Sequence, residues 1–192
     1  MYRSILLACA LGSLSAPAMA QARNYEFDKA HTSIRASWDH QGYSIMALEF
    51  TNYEGELAID LENPANNAVE VTFTLDGGIW PGANTGGFSD HLMSADLFNV
   101  QAYPTARFVA TDFHSEDGQT GTMQGELTLL GETRPVSLFV ELRQEGEVRG
   151  RHRIGVTANT TITRSEWGMD YAVPGISDWI GISIEAEIVA SE

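Results

Sequence analysis

Histidines are the first residues of this sequence whose type suggests a chemical site. Five occur, namely His31, His40, His91, His114 and His152. Metal-binding histidines usually follow a short regular spacing, such as two histidines four positions apart on a helix, and no pair here has it. His31 and His40 are separated by an odd number of positions, which places two side chains of one strand on opposite faces. We therefore expect no metal site.

Nucleophiles and acids give no clearer pattern of catalysis. The chain has one cysteine, Cys9, and lacks the Gly-x-Ser-x-Gly motif that presents a catalytic serine. The pairs Gly77-Gly78 and Gly86-Gly87 lack the lysine and the strand-to-helix setting of a phosphate loop. The 26 acidic residues offer many carboxylate pairs for glycoside chemistry, but acidic side chains on strands are usually solvated surface.

The charge balance excludes one large class of partner. The 192 residues include 11 Lys and Arg against 26 Asp and Glu, a formal net charge of −15. Nucleic-acid binding needs clustered Lys and Arg, so we expect no nucleic-acid partner. The same charge disfavours tight docking to an anionic membrane surface.

Residues 1–20 have the pattern of a cleaved secretory signal peptide. Arg3 supplies the positive start, residues 5–11 are apolar and small, and Ala18 and Ala20 form a small-x-small cleavage site. Cleavage after Ala20 would remove the only cysteine and leave one domain over residues 23–192. We expect this domain to be exported to a bacterial periplasm.

The rest of the chain alternates apolar and polar residues, which is typical of strands with one buried face. The longest apolar rows are 136–142, 154–162 and 180–188, and a short gap at 131–134 predicts a hairpin between strands 122–130 and 134–142. The only helix predicted lies near residues 89–96, with Ser89 as its N-cap. Eight to ten strands of this kind fit either an antiparallel barrel or a sandwich, and the alternation favours neither. Small inward residues such as Ala36, Gly55, Gly125 and Ala158 would either leave room inside or mark close strand packing.

Four sequence blocks resemble the YceI-like family of periplasmic, polyisoprenoid-binding, lipocalin-like proteins. They occur in order along the chain and are FDKAHTSI (27–34), followed by His40, Gly42 and Ser44; SDHLMSADLFNV (89–100); GELTLLGETRPV (125–136); and RSEWGM (164–169), followed by Asp178. The resemblance implies an antiparallel eight-stranded barrel whose apolar interior holds a polyisoprenoid or an isoprenoid quinone. It implies no catalytic residue and no cofactor besides such a lipid. An enzyme acting on an amphiphile, and a filled sandwich without ligand that serves in stress or adhesion, remain alternatives.

Within that resemblance, aromatic and polar residues provide the candidate ligand contacts. The candidates for the tail are Trp38, Phe50, Phe73, Leu92, Phe98, Phe108, Trp167 and Trp179. The candidates for the head group are His31, His40, Asp90, His91 and Arg164. Arg164 would either pair with a phosphate or, as we favour, form a structural salt bridge, and the acidic surface favours a neutral head group. Transient contact with a membrane or a membrane protein would load the lipid.

Overall fold

The computed structural model describes residues 22–82 and 86–192, so the predicted signal peptide lies outside the described residues. Eleven strands and one short helix, α1 (Gly86–Met93), make up most of the described chain. The strands are β1 (Arg23–Phe27), β2 (Ser33–His40), β3 (Ser44–Phe50), β4 (Tyr53–Ile59), β5 (Ala68–Thr74), β6 (Ile79–Trp80), β7 (Thr105–Ser115), β8 (Thr120–Leu129), β9 (Glu132–Val148), β10 (Arg151–Thr163) and β11 (Trp179–Ala190). Short 3-10 turns lie at Pro64–Asn66 and Arg164–Trp167.

The strands form a closed antiparallel barrel with eight strand positions around the ring, which we call staves because some of them consist of two consecutive strands. The order is β1-β4-β5-β7-β8-β9-β10-β11, and β1 also pairs with β11, which closes the ring. The three remaining strands extend staves that are interrupted. Strand β2 follows β1 and pairs with the same strand, β11. Strand β3 precedes β4, and β6 follows β5 and pairs with β3. The predicted barrel is confirmed, and the alternative of a filled sandwich is wrong.

The break between β1 and β2 shows why some residues leave the barrel wall. Phe27 pairs with Ile188 and Ser33 pairs with Glu185. From the first pair to the second, the first stave advances by six sequence positions, whereas β11 advances by only three. The surplus residues between these pairs leave the sheet as an outward turn that contains His31.

The alternation predicted from the sequence describes the interior well. The apolar rows 136–142, 154–162 and 180–188 all contribute side chains to the inside of the barrel. The predicted hairpin joins β8 to β9 through Leu130 and Gly131, whose φ angles of 51° and 78° are the left-handed values that a two-residue hairpin turn requires.

Helix α1 exists but is displaced from its prediction. It begins at Gly86 and ends at Met93, so Ser89 lies inside it and the prediction of Ser89 as the N-cap is wrong. The helix ends where the chain folds back, because the backbone N–H groups of Phe98 and Val100 donate to Leu92 and Met93. Helix α1 and this following loop lie at the barrel end where β2 finishes at His40, here called the His40 end. No helix within the described residues is long and apolar enough to cross a membrane.

Candidate functional site

A cavity of about 670 Å³ occupies the barrel interior. Side chains from all eight staves, from α1 and from the loop after β10 form its wall, and most of them are aliphatic or aromatic. No carboxylate of the described residues lines it. The volume lies in the usual range for small-molecule sites, about 300–1,000 Å³.

Small residues keep this interior open in two different ways. Ala36 and Ala158 are buried on the cavity wall and leave space in front of them. Gly55 and Gly125 instead make room for the rings of Phe27 and Phe108, which occupy the space where a Cβ would stand. The two alanines therefore fit the interpretation that small residues leave room inside, whereas the two glycines make room for aromatic side chains of the wall.

Six of the eight predicted tail residues lie on the cavity wall, namely Trp38, Phe50, Phe73, Leu92, Phe98 and Phe108. Phe50 is central to this group, because its ring centroid lies 5.3 Å from that of Phe73 and 6.3 Å from that of Phe98. Such tilted and edge-to-face contacts fix ring orientation and stabilise the wall.

The other two predicted tail residues do not face the cavity. Trp167 is only 2% exposed, but it packs into the core behind the wall, where its indole N–H donates to the Leu127 carbonyl at 3.0 Å. Trp179 is 71% exposed on the outer face of β11. Its prediction is wrong because Ile180 and Ile182 face inward, which turns the odd-numbered positions of this strand outward.

Polar side chains gather on the wall at the His40 end. His40, Gln41, His91 and Tyr171 all line the cavity there, and the His91 and Tyr171 rings meet edge to face with centroids 5.0 Å apart. Gln41, Tyr171 and Ala172 are exposed as well as cavity-lining, so the cavity reaches solvent at this end. At the opposite end the cavity is lined by Leu61, which is 37% exposed, and by Asn67, and the Tyr25 hydroxyl lies 2.8 Å from His152 Nδ1.

Arg164 also lines the cavity but is committed to the backbone. Its guanidinium donates to four carbonyls, those of Met169, Tyr171, Ile176 and Ser177, at 2.7–3.1 Å. Burial lowers the pKa of Arg164 below its ordinary value. No carboxylate of the described chain lies within salt-bridge distance, so the favoured prediction of a salt bridge is wrong. Arg164 holds the loop that carries Tyr171.

Two predicted head-group residues lie away from the cavity. Asp90 is exposed on α1 and is not part of the wall. His31 lies in the outward turn after β1, where its Nδ1 is 3.0 Å from Asp28 Oδ2. Hydrogen bonds from His31 and Arg153 lower the pKa of the Asp28 carboxyl.

The cluster around His31 has the residue types of a metal site but already contains a cation. Donor atoms of Asp28, His31 and Glu187 lie within 4.8 Å of one another. Arg153 Nη1 donates to Asp28 and to Glu187, so the guanidinium pairs with both carboxylates and occupies oxygens that a metal ion would need.

Some residues of the wall are missing from the prediction. Phe27, Phe88 and Phe113 line the cavity, and Phe27 could have been found because it lies two positions after the buried Tyr25 on the same face of β1. Tyr171 lies in an irregular loop, where no periodicity marks the residues that turn inward.

Comparison with known proteins agrees with this architecture. A family model for the YceI-like domain matches residues 25–188, which span all eight staves. The chain belongs to the YceI-like family. Among its YceI-like relatives, a UPF0312 protein of Photorhabdus laumondii is 36% identical over 169 residues, which cover 84% of each chain.

Solved structures share the YceI-like barrel at low sequence identity. BcnA of Burkholderia cenocepacia superposes with a TM-score of 0.71 at 20% identity, over 86% of this chain and 99% of that one. A polyisoprenoid binding domain from Saccharophagus degradans, implicated in plant cell wall breakdown, gives a TM-score of 0.67 at 10% identity, over 88% of this chain and 99% of that one.

Proposed function

We propose that this protein binds a long-chain isoprenoid lipid, either a polyisoprenoid or an isoprenoid quinone, and stores or transports it in the periplasm. One observation carries the proposal: an apolar cavity of about 670 Å³ with its polar side chains gathered mainly at the His40 end. This distribution matches an amphiphile with a single apolar tail. The family membership and the polyisoprenoid binding domain with the same fold support the choice of ligand.

The cavity volume sets a length for the enclosed tail. An apolar cavity of about 150 Å³ holds one benzene molecule, so a volume of about 670 Å³ holds about four such rings. That corresponds to about 25 carbon atoms, or about five isoprene units. A longer tail would leave its remaining units outside the barrel.

The polar end favours a head group without charge. The guanidinium of Arg164 already serves four carbonyls, so little of its donor capacity is left for a phosphate. His40, Gln41, His91 and Tyr171 supply hydrogen-bonding groups suited to a hydroxyl or a quinone carbonyl.

The energetics favour reversible exchange with a membrane. Burial of a tail of about 25 carbons from water would yield about 20 kcal/mol at 0.8 kcal/mol per CH₂, close to the ceiling of non-covalent affinity. The lipid comes from a bilayer, however, which is as apolar as the cavity. The net gain on transfer is therefore small, as a carrier requires.

The periplasmic part of the proposal rests on the sequence of residues 1–20. Their charged start, apolar stretch and small-x-small end fit a cleaved leader, and the remainder has no cysteine that would need oxidation.

Native mass spectrometry of protein isolated gently from its host tests the proposal. We expect a bound lipid that organic solvent extracts and that remains chemically unchanged during incubation, since the protein binds rather than catalyses. Ala158 is buried on the wall between Val140 and Ile184, so Ala158→Phe projects a ring into the cavity and should lower lipid occupancy at least tenfold.

A control variant and a second cavity variant complete the test. Phe139→Ala is the control, because it alters an exposed residue on the outside of β9 and should leave lipid occupancy unchanged. Ala158→Leu repeats the cavity test with a smaller side chain. Consistently empty protein, a lipid converted to product, or equal occupancy in Ala158→Phe and Phe139→Ala would each contradict the proposal.

A further inference from the structure

Three large apolar side chains are exposed to solvent at the His40 end of the barrel. Tyr43 is 88% exposed, Ile45 is 70% exposed and Trp179 is 71% exposed, which makes them the most exposed large apolar residues in the described parts of the chain. Exposed apolar patches of this kind usually mark an interaction surface. We call these three residues the Trp179 rim.

The rim residues come from two segments that are bonded to each other. Ile45 pairs with Asp39 in the β2–β3 hairpin, and the backbone N–H of Ser177 donates to the Asp39 carbonyl at 3.0 Å. The backbone N–H of Gln41 donates to the Gly175 carbonyl, also at 3.0 Å. The hairpin and the segment leading into β11 therefore lie side by side.

The rim borders the opening of the cavity to solvent at the His40 end. Gln41 is two positions from Tyr43 and lines the cavity. Tyr171 and Ala172 line it from the second segment, which Arg164 holds in place. A surface on which the rim rests would thus face the open end of the cavity.

Residue type and charge indicate the nature of that surface. Trp and Tyr are the side chains enriched at the interface between lipid and water. Neither residues 36–50 nor residues 165–192 contain Lys or Arg, while Asp39 pairs with Ile45 of the rim and the exposed Asp170 precedes Tyr171. Such a surface is repelled by anionic lipids and complements the ammonium groups of ethanolamine or choline head groups.

We propose that the Trp179 rim docks the His40 end on a bilayer of zwitterionic phospholipid. The inference rests on the proposed function, because it names the surface from which the cavity receives its lipid. Docking lets the tail pass between bilayer and cavity with little exposure to water.

Vesicle flotation tests the docking. Wild-type protein should float with vesicles of phosphatidylethanolamine and phosphatidylcholine, and less with vesicles that contain phosphatidylglycerol. The double substitution Tyr43→Ser with Trp179→Ser should lower the partition coefficient at least tenfold. The matched control is Phe139→Ser, which removes a 53% exposed ring from the outer face of β9 and should change partition less than twofold.

The outcomes separate docking from lipid binding. The double variant should lose flotation but still carry bound lipid in native mass spectrometry. This result would support docking as a step that is separate from lipid binding in the cavity. Docking is refuted if wild-type protein floats with neither kind of vesicle, which would leave a protein partner as the surface. It is also refuted if Phe139→Ser loses as much as the double variant, or if phosphatidylglycerol strengthens flotation.

Discussion

The ring of Phe108 lies directly against the backbone of Gly125, so that a Cβ added to Gly125 would stand 2.4 Å from Phe108 Cε2. Gly125 faces the interior on β8, and Phe108 lies on the neighbouring strand β7. Because the glycine has no side chain, the aromatic ring can occupy this space against the wall.

Gly125→Ala should therefore narrow the cavity. The new methyl group also meets the Val109 carbonyl oxygen at 2.7 Å, so the ring and the strand must both shift, at a cost of about 1–3 kcal/mol in the free energy of unfolding. Competition among prenyl alcohols should show a preference for shorter tails. Gly146→Ala is the control, since no atom lies within 4 Å of a Cβ there, and equal effects in the two variants would disprove the relationship.

His40 and His91 should select for a polar head group. The double substitution to Ala removes two hydrogen-bonding groups of about 1 kcal/mol each and should weaken binding of a prenyl alcohol about thirtyfold. Binding of a hydrocarbon of equal tail length, measured by the same displacement titration, should not change. His114→Ala, at an exposed residue of β7, is the control, and an equal loss for alcohol and hydrocarbon would show that the histidines only shape the wall.

Arg164→Gln should destabilise the fold and loosen the open end of the cavity. Carbonyls that now accept from a buried cation would lose their donors, which we expect to lower the free energy of unfolding by about 3 kcal/mol. Limited proteolysis should then cut within residues 169–177. Arg107→Gln removes only an exposed ion pair with Glu70 and should have little effect in urea unfolding. Matching unfolding curves for the two variants would contradict the role given to Arg164.

Asp60 should make part of the stability depend on pH. Its carboxylate accepts hydrogen bonds from the Asn66 side chain and from the Asn63 and Glu62 backbones, which lower its pKa. A group with a lowered pKa in the folded state contributes stability above its unfolded pKa of about 4 and loses it as the pH falls through the folded value.

Asp60→Asn should accordingly lower the urea midpoint at pH 7, with a difference from wild type that shrinks steadily below about pH 4. Asp112→Asn, on the exposed surface of β7, should match wild type throughout. A difference for Asp60→Asn that is the same at pH 7 and pH 2.5 would contradict the assignment.

The alternation of apolar and polar residues predicts which side chains line the barrel wall, but it does not predict where a strand of the wall is interrupted. Val136, Leu138, Val140 and Leu142 form one unbroken row, and all four side chains point into the cavity as the sequence indicates. The outward turn with His31 depends on how β1 and β2 share β11, which is a relation between segments about 150 positions apart.

The open end of the cavity was also beyond prediction for a physical reason. Arg164 donates its hydrogen bonds to backbone carbonyls, which every residue type has. The sequence therefore cannot indicate these acceptors, and it favours a carboxylate partner instead. The outward position of Trp179 is contained in the sequence, because the apolar row that begins at Ile180 assigns the odd positions of β11 to the outside.

The attachment of the 169–177 loop through its own backbone has a consequence for divergence among relatives. Every amino acid supplies the same carbonyl oxygen, so the anchor at Arg164 does not depend on which side chains the loop carries. Point mutations at the exposed positions of the loop, Tyr171 and Ala172, can therefore reshape the entrance among relatives while the strands of the barrel stay unchanged.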